Sequence, residues 1–365
     1  MNKIEEMIER LCPDGVEYKA LKEVARIKSG KDYKHLGDGD VPVYGSGGVM
    51  TYVDTAAYDK PTVLLPRKGS ISNVFYLDEP FWNVDTVFYT EIDEAQILPR
   101  FFYHVILNEH IEKLNTSNAA RPALTRTVLD GVLIPVPPME IQEEIVRVLD
   151  SFAELEAELE AELEARKAQY AYYRDKLLDF STRGGVALMP LVSLAEIGTG
   201  SHDTKDALEQ GEYPFYARGV DVLALDSFDF DETAIITAGD GVGVGKVMHF
   251  VEGKYALHQR AYRIHITSPN LIPKYYYYFM KATFLGYMEK KAVNSSVTSV
   301  RKKMLEDYPI PTPSLEEQER IVSILDKFDL LVNDISEGLP AEIEARRKQY
   351  EYYRDKLLKF KEKAA

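Results

Sequence analysis

The sequence predicts an α+β protein in which two β-rich globular domains stand in pseudo-two-fold tandem, separated by two long helices that form an antiparallel coiled coil. Three observations predict it. A charged helical segment occurs twice almost unchanged, as AELEARKAQYAYYRDKLLDF at 161–180 and AEIEARRKQYEYYRDKLLKF at 341–360. A proline-rich joint opens each helical region, IPVPPME at 134–140 and IPTPSLE at 310–316, followed by QEEIVRVLDSF at 142–152 and QERIVSILDKF at 318–328. Ahead of each joint, short Val/Ile/Tyr/Phe runs alternate with Gly/Asp turns, the pattern of a small β-rich domain. The segments are accordingly drawn at 1–138, 139–180, 181–313 and 314–365.

In the first globular segment, 62–65 and 73–77 read as strands and 100–114 as a tyrosine-rich helix. In the second, the corresponding readings are 234–237, 246–251 and 274–290. The two match only faintly, GVEYKALKEVARI (15–27) with GVALMPLVSLAEI (185–197) and VPVYGSGG (41–48) with YPFYARGV (213–220). The globular parts have therefore diverged further than the helices.

In the first helix Ile145, Val148, Phe152, Leu155 and Leu159 alternate steps of three and four, and Tyr170, Tyr173, Leu177 and Phe180 resume the stripe, which is coiled-coil spacing. Ser314 with Glu317 fits a capping box, and Pro138 stands where a helix start tolerates proline. From 142 to 180 such a helix runs roughly 58 Å at 1.5 Å per residue, and a helix of that length needs a partner. The other copy offers the same seam. The second copy carries extra residues around Gly338 and Pro340, where its helix is expected to kink or break. The repeated segment reads first as structure. The copies also agree at polar positions that a seam does not require, Glu162/Glu342, Arg166/Arg346, Gln169/Gln349, Arg174/Arg354, Asp175/Asp355 and Lys176/Lys356, so the same face is expected to dock something twice.

Composition narrows the function. One cysteine in 365 residues, Cys12, allows neither an internal disulfide nor a cysteine metal site, and the amphipathic, acidic N-terminus is unlike a signal peptide, so a reducing cytoplasm is expected. No apolar run of membrane-spanning length occurs. The net charge of -15 counts against nucleic acid, but residues 139–180 alone carry 5 Lys+Arg against 12 Asp+Glu. In the globular parts the bases cluster, at Lys28, Lys31 and Lys34, at Arg67 and Lys68, and at Arg301, Lys302 and Lys303, which leaves DNA open as a ligand.

No motif amounts to a catalytic centre. GDGVGVGK (239–246) lacks P-loop spacing, because Val247 stands where Ser or Thr is required, and it reads as a turn facing a ligand. His258, Gln259 and Arg260 with His249 and His265 suggest a metal or acid–base site no more than they suggest a polar strand end. The polar clusters NAARPALTRT (118–127) and NSSVTSVRKK (294–303) occupy the same place in each copy and carry the side chains that contact phosphates and base edges, as solvated loops also do.

Together these features resemble the specificity subunit of type I restriction-modification enzymes. The resemblance rests on the variable globular pair, the Pro-x-Pro joints leading to Gln142 and Gln318, and the twin Tyr-Tyr-Arg-Asp-Lys-Leu-Leu segments, and it covers nearly the whole chain. It implies that each globular part is a target-recognition domain reading half of a bipartite site in double-stranded DNA. It also implies that the helices space these domains and dock two methyltransferase subunits, with restriction subunits joining through the complex. The chain itself would hold no cofactor and catalyse nothing; its partners would use S-adenosylmethionine, ATP and Mg. The DNA-contacting residues implied are Lys31, Arg67, Lys68, Ser70, Arg121, Thr125 and Arg126 in the first domain. In the second they are His202, Lys246, His258, Gln259, Arg260, Ser295, Ser296, Arg301 and Lys302. The docking residues implied are Arg166, Gln169, Arg174, Asp175, Arg346, Gln349, Arg354 and Asp355. Rival readings are a coiled-coil scaffold whose heads bind protein or carbohydrate, and an enzyme with an unrecognised centre.

Overall fold

The computed structural model describes residues 2–115, 122–181, 185–291, 299–334 and 336–363. The chain divides into two compact units, Met1–Glu160 with Glu342–Ala365, and Ala161–Ala341. The division falls inside a single 40-residue helix, Met139–Leu178, so each unit holds one globular part together with pieces of both helical regions.

In unit one a four-stranded antiparallel sheet runs in the order Ala25–Ser29, Val87–Ile92, Thr62–Pro66, Phe75–Leu77. Its strand Thr62–Pro66 is buried along its whole length, which is why TVLLP reads as an unbroken apolar run rather than an alternating one. The buried hydroxyls of Thr62 and Thr90 are satisfied across the sheet, Thr62 Oγ1 donating to Thr90 O at 2.7 Å and Thr90 Oγ1 to Val63 O at 2.9 Å. A second sheet orders Gly48–Val53, Val41–Gly45 and Trp82–Asn83, the last two pairing in parallel with Tyr44 opposite Asn83. A two-stranded ribbon joins Glu17–Ala20 to Leu133–Val136.

Unit two repeats the plan. Its first sheet orders Ala195–Thr199, Ala261–Ile266, Ala234–Ala238 and Met248–Val251, and Ala234–Ala238 is again wholly buried. Its second sheet pairs Tyr213–Tyr216 in parallel with Lys254–Leu257, Tyr216 opposite Leu257, and its ribbon joins Ala187–Pro190 to Pro309–Thr312. The registers make Tyr44 and Tyr216 equivalent, as the VPVYGSGG and YPFYARGV match expected.

The tyrosine-rich helix is Pro273–Lys291 in unit two but only Pro99–Asn108 in unit one. There His110 turns left-handed (φ 48°) and 111–114 continues as a 3-10 turn, so the expected helix over 100–114 is cut short. Each proline joint is fastened by one buried glutamine. Gln142 Nε2 donates to Pro137 O at 2.8 Å and Gln96 O at 3.0 Å, while its Oε1 accepts from Leu98 N at 2.8 Å. Gln318 repeats this, Nε2 to Pro313 O and Ile272 N to Oε1, both at 2.9 Å. The joints put backbone groups where no ladder reaches them, and a primary amide supplies both the donors and the acceptor they lack.

The helical seams are antiparallel pairs. In unit one Phe152 stacks on Tyr353 with centroids 5.3 Å apart, and Arg347 reaches Glu156 and Glu160, each at 2.6 Å. In unit two Tyr170 and Tyr173 pack on Phe328 at 6.0 and 5.8 Å. The second helical region breaks where expected, one helix ending at Asn333 and the next starting at Leu339. The Asp334 carboxylate accepts from the backbone of Ser336 and Glu337, and a Cβ at Gly338 would lie 2.4 Å from Leu330 O, so the turn needs glycine as well as Pro340. Ser314 caps its helix by accepting from Glu317 N at 3.3 Å. The N-terminal helix Asn2–Leu11 buries Ile4 in unit one and is pinned by Lys3–Glu144 at 3.0 Å and Glu5–Lys356 at 3.2 Å. Among the described residues no helix is long and apolar enough to cross a membrane.

Candidate nucleic-acid interface

Three loops of unit one, far apart in sequence, meet on the turn 83–86. Lys31 N donates to Asn83 O at 2.9 Å, and Thr86 O accepts from Arg67 N at 2.9 Å and Lys68 N at 3.2 Å. Lys68 then bridges to Ala123, and Leu124 N donates to Arg67 O at 2.9 Å, which sets Thr125 and Arg126 beside the hairpin loop 67–74. Thr125 caps the short helix Arg126–Asp130, and Arg126 is exposed with Asp130 at 3.4 Å. The tip of the second sheet's hairpin also belongs here, since Ser46 N donates to Thr86 Oγ1 at 3.2 Å. The charged pair at this corner is Lys68 with Asp85, 3.3 Å apart and both exposed.

Unit two builds the same corner with the charges moved. Gly239 N donates to Arg260 O at 2.9 Å, Asp240 bridges to Ser299, and Val300 N donates to Gly239 O at 2.8 Å. By these bonds Gly239 and Asp240 stand where Arg67 and Lys68 stand in unit one, Arg260 stands at Thr86, and Arg301 and Lys302 stand at Thr125 and Arg126. The carboxylate is now at the loop root. Asp240 holds Arg218 at 2.8 Å and Arg260 at 3.1 Å, and Arg218 foremost, with Arg260, keeps its carboxyl below the usual carboxylate range. His202 N reaches Leu257 O at 3.3 Å and His202 O accepts from Gln259 N at 2.9 Å, while the Gln259 side chain donates to Asp203 at 3.1 Å. Lys246 is exposed at the end of the loop.

Two expected contact residues are taken out of the surface. His258 is 2% exposed, and its Nδ1 accepts from Arg260 N at 2.9 Å. Burial, and after it the Arg218 charge, pushes its pKa down, so this neutral imidazole shapes the turn that carries Arg260 instead of facing a ligand. The side chain of Arg354 is only 12% exposed and lies 5.5 Å over the Tyr350 ring, so it stabilises the seam from within. Arg121, Ser295 and Ser296 lie outside the described residues. The faint match of SerGlyGly with ArgGlyVal already placed Ser46 opposite Arg218, yet neither was singled out, because single loop residues carry no periodic signal. Asp85 and Asp240 carry no sequence signal of their own, since their role depends on the cations that the fold brings beside them.

The repeated helical surface recurs with the same residue pairs in both copies. Arg166 reaches Glu162 at 2.7 Å and Gln169 at 2.8 Å; Arg346 reaches Glu342 at 3.4 Å and Gln349 at 3.1 Å. Arg174 and Arg354 pair with their neighbours Asp175 and Asp355 at 2.7 and 3.5 Å. Beside each triad an exposed tyrosine completes the face, Tyr172 and Tyr352, both 61% exposed, and the repeated Tyr-Tyr was the signal for it. Among the described residues no group of three or more His, Cys, Asp or Glu side chains forms a metal site.

Two divergent heads of one plan, each ending in a loop corner that mixes bases with acids, on a helical frame with one face repeated, define a two-headed recognition subunit. The family model "Type I restriction modification DNA specificity domain" matches residues 13–165 and 185–345. A putative type I restriction enzyme specificity subunit of Haemophilus influenzae is 31% identical over 94% of this chain and 96% of its own. The specificity subunit of the Escherichia coli type I restriction enzyme EcoR124I/EcoR124II is 34% identical over 74% and 73%. In fold, the crystal structure of a type I restriction-modification S subunit from M. genitalium aligns at TM-score 0.67 with 15% identity, covering 94% of this chain and 96% of that one. The chain belongs to the family of type I restriction-modification specificity subunits, whose role is DNA-sequence specificity.

Proposed function

We propose that each unit reads one half of a bipartite site in double-stranded DNA, unit one through the corner at Lys31, Lys68, Ser70 and Arg126, unit two through the corner at Arg218, Gln259, Arg260 and Lys302. The observation that carries this is the equivalence of the two corners. The hydrogen bonds that build them are the same, while the side chains they present differ in charge and shape, as two different half-sites would demand. The cations supply phosphate contacts and therefore salt-dependent affinity; the polar and apolar tips supply base choice.

On the same reading the two copies of the Arg-Glu-Gln-Tyr face dock two methyltransferase subunits, one copy each, because a duplicated surface suits two copies of one partner. The chemistry is left to those partners, which would use S-adenosylmethionine, ATP and Mg, with restriction subunits joining the assembly in the cytoplasm.

The test is to map methylated adenines across the genome of cells with and without this chain, its methyltransferase present in both. A split motif that disappears with the chain supports the reading; an unchanged methylation pattern overturns it. Heads that bind protein or carbohydrate would also leave the partner-bound complex unable to shift any duplex in a gel. For the docking face, Arg166→Glu with Arg346→Glu is expected to abolish co-purification with the methyltransferase. Arg166 and Arg346 are chosen rather than Arg174 and Arg354, since a charge reversal at Arg354, only 12% exposed, would report on folding.

A further inference from the structure

We infer that Val242 is a base-reading residue of unit two that contacts the C5-methyl group of a thymine in the major groove. The inference rests on the proposal that unit two reads a half-site, and it starts from a residue with no role in the fold. Val242 is 97% exposed at the tip of the loop joining Ala234–Ala238 to Met248–Val251. The loop around it is fixed. Gly241 and Gly245 adopt φ of 82° and 70°, and a Cβ at Gly243 would come within 2.3 Å of Arg218 O. Val244 is buried at 2% exposure, and Gly243 O accepts from Lys246 N at 3.0 Å and Val247 N at 2.8 Å. A loop held by these glycines and hydrogen bonds that projects Val242 and buries Val244 keeps one apolar group in solvent, where it contributes nothing to stability.

Comparison with unit one indicates what the position does. The equivalent loop carries Gly69, also at φ 82°, and the residue after it is Ser70. The same backbone feature thus presents a hydroxyl in one head and an isopropyl group in the other. A hydroxyl can pair with several base edges, whereas an isopropyl group has one favourable partner in the major groove, the thymine methyl. Around Val242 stand Arg218 and Arg260, both held by Asp240, and the exposed Lys246. These cations suit the flanking phosphates and would bring the tip to the base edges. A wedge driven between base pairs is a different use of an apolar tip, and it favours larger side chains than valine.

The experiment uses the full chain in complex with its methyltransferase. The complex first selects its site from a pool of random duplexes, and the selected duplex is then resynthesised with deoxyuridine in place of each thymine in turn. One replacement in the half read by unit two should weaken wild-type binding about fourfold, the equivalent of one buried methyl group. Val242→Ser should bind the two duplexes equally, and Val242→Thr, which keeps a methyl, should retain the preference. Deoxyuridine tolerated everywhere by the wild type, or a preference that survives in Val242→Ser, overturns the inference. Equal weakening of all duplexes by Val242→Ser does so too, as it indicates a wedge or an unspecific contact. If the wild-type complex selects no split site at all, the half-site reading fails rather than the role of Val242. Because the side chain is fully exposed, both variants should keep the unfolding midpoint of the wild type.

Discussion

The two units are alike where their parts join and unlike where they end, and the difference separates what the fold needs from what the ligand needs. At the joints, Gln142 and Gln318 are both fully buried and make the same amide bonds to a proline carbonyl and a backbone N–H. At the corners, the same backbone bonds recur, but Lys68 with Asp85 in one unit gives way to Asp240 with Arg218 and Arg260 in the other. A joint has one geometric solution, so both copies keep it. A corner has to be rigid, yet its exposed side chains are free to follow two different targets.

The joints should therefore be the costliest places to change. Gln142→Ala leaves the buried Pro137 carbonyl and the part-buried Gln96 carbonyl and Leu98 N–H without this partner, and a loss of roughly 3 kcal/mol is expected from unit one. Gln318→Ala removes one donor bond fewer and should cost unit two somewhat less. Urea unfolding followed by circular dichroism checks both, and a joint variant as stable as the wild type would break the claim that the joints carry the fold.

The corners should show the opposite behaviour, unchanged stability with altered binding. Asp240→Asn removes the charge that orients two phosphate-facing arginines but leaves their number unchanged, so affinity is expected to fall about tenfold for all sequences with the slope of affinity against salt unchanged. Lys68→Ala should weaken binding to all sequences alike, about threefold, and reduce that slope by about one. Arg126→Ala and Lys302→Ala, equivalent first residues of two short helices, should behave like Lys68→Ala. Gel-shift titrations of the methyltransferase complex across salt concentrations separate the two classes. The same response from Asp240→Asn and Lys68→Ala would remove the distinction between orienting and phosphate-contacting charges.

Much of this was legible in the sequence, and the reason differs by region. The helices announced themselves by period, the joints by proline and glutamine at fixed spacing, and the break by Gly338 and Pro340, all of which are local signals. The fully buried strands Thr62–Pro66 and Ala234–Ala238 were legible as apolar runs. The corners were only half legible. That Arg67 and Arg126 share a loop cluster depends on pairing across 59 positions, and that His258 is buried depends on the sheet beneath it. Neither fact leaves a mark on the residues around it. Arg354 illustrates the limit from the other side: its identity with Arg174 suggested a shared docking role, but an identical residue can be kept for packing against a ring.

The smallest predicted effect tests one exchange inside the shared frame. In unit one Asp150 accepts from His104 Nε2 at 2.8 Å, and His104 Nδ1 lies 3.2 Å from Tyr350 Oη; in unit two the equivalent Asp326 accepts from Tyr278 Oη at 2.6 Å. His104 is 1% exposed, and burial pushes its pKa below the ordinary 6.5 despite the opposing Asp150 hydrogen bond, with Arg100 and Arg354 adding to the shift. The folded protein therefore binds this proton less readily than the unfolded chain does. As pH falls through 6.5 the unfolded state gains a proton that the folded state refuses, and unit one loses stability, by at most about 1.4 kcal/mol per pH unit. Asp150 does not mask the effect, because the hydrogen bonds from His104 and Arg100 outweigh its burial and keep its carboxyl below the normal range. His104→Tyr copies the residue of unit two and removes the titrating group. Since unit two has its own depressed histidines in His249 and His258, the comparison is made within unit one. Between pH 7.5 and 5.5 the urea midpoint of unit one should fall less in His104→Tyr than in the wild type; an equal fall would place the acid sensitivity elsewhere and leave the His104–Tyr278 exchange without a consequence for stability.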